Sequence, residues 1–214
     1  TIKTNIMLGV LDDSSYKRTM KAEQDGFKCL KFKVGINDID KELKRLDQII
    51  HNIQSETCIR LDANRSWSIA QTEYVLEQLQ KHAMDKSIDS IEEPLLQYDQ
   101  KAYVHLQSHT NIPLALDESF IMNQSLKELP VKRLVLKPMA HGGILNTWLL
   151  AQQAKQYKIS TVITSSIETG YGLWPITCLC AALNNDQFHG LATADWLSDT
   201  LIQPPEIDRG CIHL

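Results

Sequence analysis

Short apolar runs rich in β-prone residues recur along the chain, and stretches with helical spacing lie between them. The runs are NIMLGVL (5–11), CLKFKV (29–34), CIRLDA (58–63), SIDSIEE (87–93), PLALDE (113–118), RLVLKP (133–138), STVITS (160–165) and FHGLAT (188–193). Residues 38–53 place Ile39, Leu43, Leu46 and Ile50 at helical intervals. Residues 69–82 follow Ser68, a suitable N-cap, and carry Tyr74, Val75 and Leu79. Segments 101–109, 144–157 and 172–184 continue the series. Strand and helix thus alternate about eight times, the pattern of parallel strands joined by helical crossovers. No GxGxxG follows the first run, so a (β/α)8 TIM barrel is favoured over a dinucleotide fold, with an open doubly wound sheet second. Such barrels typically take about 250 residues, and the 214 present are short but sufficient.

The polar residues at the ends of these runs change the picture. Side chains repeat every second residue in a strand, so Lys31 and Lys33 share a face. Lys33, Asp62, Glu92, Asp117 and Lys137 then close five successive runs, at spacings of 29, 30, 25 and 20 residues. Strand C-terminal ends form one rim of a barrel, where its chemistry is built. Each residue has an ordinary reading alone: guarding an edge strand, capping a helix, or ending a strand in water. Five in register favour a common site. Three carboxylates on neighbouring strands repel unless a cation sits among them. Oxygen donors without His or Cys suit a hard ion, Mg²⁺ first. A lysine near cations becomes a base near neutral pH, and a metal-held carboxylate substrate can lose its α-proton as an enediolate.

Composition narrows the class. Apolar residues make up 43%, charged residues 22%, and the net charge is −4 with no basic block. Nucleic acid is therefore disfavoured as a partner. No window approaches the roughly 18 apolar residues of a membrane span, and no signal peptide is visible. Five cysteines without CxxC suggest a reduced, cytoplasmic setting rather than a zinc site.

The motifs KFK, RLDANRSW, IEEP, ALDES and VLKP, in this order, resemble the enolase superfamily in its muconate-lactonizing subgroup. RLDANRSW, ALDES and SSIETGYGL look most like the proteobacterial o-succinylbenzoate synthases. The resemblance runs from Asn5 to about Leu201. It implies a modified (β/α)7β barrel, with Asp62, Glu92 and Asp117 as ligands of Mg²⁺, for which Mn²⁺ can substitute. It implies Lys33 as the base, Lys31 as its charge partner, and Lys137 as the opposing cation. The implied activity is a carbon–oxygen lyase of menaquinone biosynthesis. It would dehydrate 2-succinyl-6-hydroxy-2,4-cyclohexadiene-1-carboxylate to 2-succinylbenzoate. N-acylamino acid racemases and dipeptide epimerases of the subgroup share these residues and stand as alternatives. Around the site, Arg60 and Asn64 flank Asp62, with Arg60 expected at the rim. Thr164, Ser165 and Ser166, with Gly190, are expected to hold a substrate carboxylate through backbone N–H groups at a helix start. Simple N-capping is the equal alternative for the serines.

The family carries an N-terminal α+β capping domain of roughly 100 residues, the size of an ordinary domain. The chain starts with Thr1 and enters an apolar run at once. Residues 1–214 are therefore expected to be the catalytic barrel alone, with the cap missing in cis and an exposed apolar patch at the mouth. A metal-binding barrel without turnover is the third reading. Oligomeric state is open, with a monomer slightly favoured.

Overall fold

In the computed structural model, which describes residues 1–120 and 125–214, seven parallel strands follow one another in sequence order. They are β2 (Ile6–Val10), β3 (Cys29–Lys33), β4 (Cys58–Asp62), β5 (Ile88–Glu92), β6 (Leu114–Leu116), β7 (Arg133–Leu136) and β8 (Ser160–Ile163). The sheet curls until its edges meet. Thr164, just beyond β8, bridges Gly190, and His189 bridges Thr4, just before β2; both bridges are parallel. The segment around 189–190 is thus the eighth stave of the barrel expected from the sequence. A separate antiparallel pair, β1 (Ile2–Lys3) with β9 (Cys211–Ile212), ties the two ends of the described chain together. This ribbon is outside the sequence expectation.

The α-helices are α1 (Ser15–Gln24), α2 (Ile39–Ile50), α3 (Ile69–Lys81), α4 (Gln100–Ser108), α5 (Ile144–Gln156) and α6 (Gly170–Leu183). Their starts follow local chemistry. The Asp38 carboxylate accepts the Lys41 N–H ahead of α2. Ser68 and Gln71 form a reciprocal capping box at α3, as the serine predicted. Between β6 and β7 the described residues hold a 3₁₀ turn, Leu126–Glu128, and no α-helix. Among the described residues no helix is long and apolar enough to cross a membrane.

Strand alternation divides the interior in two. Leu30, Phe32, Ile59, Leu61, Ile91 and Leu134 face outward, are at most 1% exposed, and form the layer between sheet and helices. Truncating such a side chain to alanine typically costs about 2–5 kcal/mol. The intervening residues face inward and carry the charges. This separation lets one strand supply both the core and the site.

Candidate active site

The inward residues at the C-terminal ends of the strands line one cavity of about 280 Å³. All twelve site residues singled out in the sequence lie on it: Lys31 and Lys33 from β3, Arg60 and Asp62 from β4, Asn64 after it, and Glu92, Asp117, Lys137, Thr164, Ser165, Ser166 and Gly190. Register sets their heights. Lys33 pairs with Asp62 across β3 and β4, and Asp62 pairs with Glu92 across β4 and β5. Asp117 follows the last residue of β6. In a ring of eight staves, β3 and β7 are four apart, so the backbones bearing Lys33 and Lys137 stand on opposite walls, with the three carboxylate-bearing strands between them.

Asp62, Glu92 and Asp117 are only 4%, 2% and 6% exposed. The reading of Glu92-Glu93 as a solvated pair therefore fails. The Lys31 ammonium lies between Asp62 Oδ2 at 2.8 Å and Glu92 Oε2 at 2.7 Å. Lys137 binds Asp117 and, at 3.1 Å, Glu118. Lys33 donates to Asn64 Oδ1 at 2.9 Å, while the Asn64 N–H donates to Asp62 Oδ1 at 3.1 Å. Asn64 and Arg65 both adopt left-handed backbone, which turns the chain sharply behind Asp62.

The electrostatics show what this donor set calls for. Burial, then the Glu92 charge, pushes the Asp117 carboxyl up to about 8. The same two causes raise Asp62. Burial would also raise Glu92, but Lys31 outweighs it and holds that carboxyl below its ordinary value. Burial would lower Lys31 and Lys137, yet their carboxylate partners win and both ammonium forms are strengthened. The expected weakening of a lysine ammonium is therefore not found at these two positions, because the neighbouring carboxylates outweigh burial. Among the described residues no three acidic, His or Cys side chains already enclose an ion position. The donors nonetheless fit a hard divalent cation in kind. They are all-oxygen, buried, carried by adjacent strands and mutually repelling, with the Lys31 ammonium standing in as the cation.

Two of the softer expectations are corrected. Arg60 does not offer its guanidinium to the rim. Its layer is one pleat deeper, and it donates to Asp89 Oδ2 at 2.6 and 3.0 Å and to Asn5 Oδ1 at 3.2 Å. The β4–β5 register steps from Ile59–Ile88 to Arg60–Ser90 and skips Asp89. This irregularity re-aims the Asp89 carboxylate toward Arg60 and Arg133, which it also binds. Burial would raise the Asp89 carboxyl, and the two arginines outweigh it and depress it. The second correction concerns backbone donors. The N–H groups of Thr164, Ser165, Ser166 and Gly190 go to Leu136 O, Gly190 O, Glu168 Oε2 and Ile163 O. No anion can take them without displacing a partner. The residues lie in a loop ahead of α6, whose N-cap is Thr169. Neither serine caps that helix.

The sequence reading missed other parts of the wall. Asn5, Met7, Glu118, Ile167, Thr193 and Trp196 also line the cavity. Thr193 Oγ1 lies 2.6 Å from Ser165 Oγ. Thr193 and Trp196 belong to a short segment, with a 3₁₀ turn at Ala194–Trp196, that carries no periodic signal. Around the mouth, Ile36, Leu96, Met139, Ile167, Trp196 and Leu201 are exposed, between 43% and 72%. These side chains stand on the loops that follow β3, β5, β7 and β8 and on the segment after α6.

Known proteins share this arrangement of strands. Residues 15–214 match the family model described as enolase C-terminal domain-like. N-succinyl-L-Arg/Lys racemase of Bacillus cereus is 32% identical over 151 residues, covering 68% of this chain and 40% of the racemase. An o-succinylbenzoate synthase of Yersinia pseudotuberculosis is 31% identical over 181 residues, covering 84% of this chain and 55% of the synthase. The crystal structure of MenC from Desulfotalea psychrophila superposes with a TM-score of 0.86 at 25% identity, covering 98% of this chain and 59% of that one. The chain spans about half the length of the curated relatives it matches. The chain belongs to the enolase C-terminal domain-like family, within the enolase superfamily.

Proposed function

We propose that this chain forms the catalytic barrel of a Mg²⁺-dependent o-succinylbenzoate synthase. The observation that carries the reading is the opposition of Lys33 and Lys137 on one cavity, with Asp62, Glu92 and Asp117 on the strands between them. Similarity to o-succinylbenzoate synthases over most of the chain supports the choice of reaction. The three carboxylates would hold Mg²⁺, which supplies positive charge for a substrate carboxylate as its α-carbon is deprotonated. Lys33 takes the α-proton at Nζ and returns it to the departing hydroxyl on the same face. The proton balance closes on one residue, and water leaves as the ring becomes aromatic. Lys31 keeps a charge beside Lys33, and Lys137 offers a cation from the far wall. Asn64, bonded to both Lys33 and the Asp62 side, orients the base.

A second reading is racemisation or epimerisation, favoured by the identity with the racemase. The two differ in what Lys137 must do. Dehydration asks of it only charge, whereas two-base racemisation asks it to carry a proton. The test is turnover of the cyclohexadiene substrate, and of N-acylamino acids and dipeptides, with and without Mg²⁺, in the full protein. Dehydration that needs Mg²⁺, falls by several powers of ten in Lys33→Ala and partly survives in Lys137→Arg supports the synthase. Activity confined to racemisation, lost in both variants, replaces it.

A further inference from the structure

Glu93, the residue after Glu92, takes no part in the pocket lining, yet it is fully buried. Strand alternation turns it to the opposite side from Glu92. Its backbone is left-handed, with φ at +45°, a costly conformation for a residue with a side chain. Its contacts explain why that conformation is kept. One carboxylate oxygen, Oε1, accepts the Asp117 N–H at 2.7 Å and the Ser119 N–H at 2.8 Å. The other accepts the Ser119 hydroxyl at 2.6 Å. Its own carbonyl accepts the Arg65 N–H at 2.7 Å, and its own N–H donates to Ala115 O at 3.0 Å. One residue therefore fastens together the three strand ends that bear Asp62, Glu92 and Asp117. β6 has only three residues, and after it the described chain leaves the sheet. The ladder alone does not hold Asp117.

We infer that Glu93 is the positioning residue of the carboxylate cluster, setting where Asp117 stands relative to Asp62 and Glu92 by gripping the backbone on either side of Glu118. The inference rests on the metal reading of that cluster. Residues that orient metal ligands typically change affinity by about 10–100-fold when lost. A carboxylate is suited to the task because it accepts two N–H groups and a hydroxyl at once. Gln keeps one carbonyl oxygen for the two amides, and the Ser119 hydroxyl can accept from its NH₂ group. Asp keeps the charge but reaches one methylene less far.

The experiment is calorimetric titration of Mg²⁺ into the full protein, its Glu93→Ala, Glu93→Asp and Glu93→Gln variants, and an Asp62→Asn control, with metal-free melting recorded for each. Glu93→Ala and Glu93→Asp should bind Mg²⁺ at least about 10-fold more weakly, while Glu93→Gln stays within a few-fold of the parent. That rescue separates positioning from mere loss of fold, and Glu93→Asp serves if Glu93→Ala does not fold. Mg²⁺ binding that Asp62→Asn abolishes but Glu93→Ala and Glu93→Asp leave intact overturns the inference alone. A parent that binds no Mg²⁺, or binds it equally after Asp62→Asn, overturns the metal reading and the inference with it.

Discussion

Asp62 and Glu92 stand directly opposite each other across β4 and β5, and the ammonium of Lys31 binds both. Two buried acids side by side persist only with positive charge between them. The Lys31 ammonium supplies that charge here, as Lys137 does for Asp117 and Glu118.

Mg²⁺ should stabilise the fold. A ligand that binds only the native state at 100 times its dissociation constant adds about 2.7 kcal/mol. Melting temperature should rise with added Mg²⁺, fall back with a chelator, and stop responding in Asp62→Asn. A melting curve indifferent to Mg²⁺ would count against the cluster as a metal site.

Asp89 should matter more than its position suggests. It faces the guanidinium groups of both Arg60 and Arg133, which are 1% and 5% exposed. Asp89→Ala leaves two buried cations without their acid, and breaking a buried pair costs roughly 3–5 kcal/mol. The check is a urea denaturation midpoint. A loss within about 0.5 kcal/mol, the range of a surface substitution, would refute the network.

His189 gives a pH dependence with a definite sign. Its Nδ1 accepts the Ile163 N–H at 3.0 Å, and burial first, then the Arg60 charge, lowers its pKa from 6.5 to about 4. The unfolded chain takes up the proton first as pH falls. Stability from this residue is full above about pH 6.5 and is lost between there and about pH 4, up to roughly 3 kcal/mol. His189→Asn should remove that component. Denaturation midpoints of parent and variant at pH 7.5 and 4.5 isolate it, and parallel losses in both would exclude His189 as the cause.

Gly190 should tolerate no side chain. A Cβ there would lie 2.3 Å from Thr164 Oγ1, where the eighth stave meets the end of β8. Gly190→Ala should destabilise the protein by about 1–3 kcal/mol, the usual cost of overpacking. Thr164→Ala in the same chain removes the clashing oxygen but keeps a Cβ 2.9 Å away, so it should restore only part of the loss. Unchanged melting in Gly190→Ala would show that the seam has room.

The strands and the mouth were legible because their residues obey simple periods. Leu30 and Phe32 alternate with Lys31 and Lys33, and that alternation alone sends the lysines inward. Arg60 shares the inward face with Asp62, so its direction was legible; its depth, one pleat lower beside Asp89, was not. Asp89 itself was hidden, because the period of two assigns it to the outside and only a register step brings it in. The β1–β9 ribbon left no trace either. Two-residue strands carry no period, and their partners are more than 200 residues apart. The serines of the 165–166 pair looked like free anion binders because nothing in the sequence reveals that their N–H groups already have acceptors.

The barrel's last seam joins residues made far apart in time. Thr4 waits for His189, and the ribbon at Ile2 waits for Ile212. A chain emerging from the ribosome can pair β2 with β3 early, but the outer side of β2 stays open until residues 189–190 have been synthesised. An open parallel edge is a template for strands of other molecules. The edge of β2 thus stays a template for misassembly until that segment arrives, and the two short bridges at 189 and 190 end the interval.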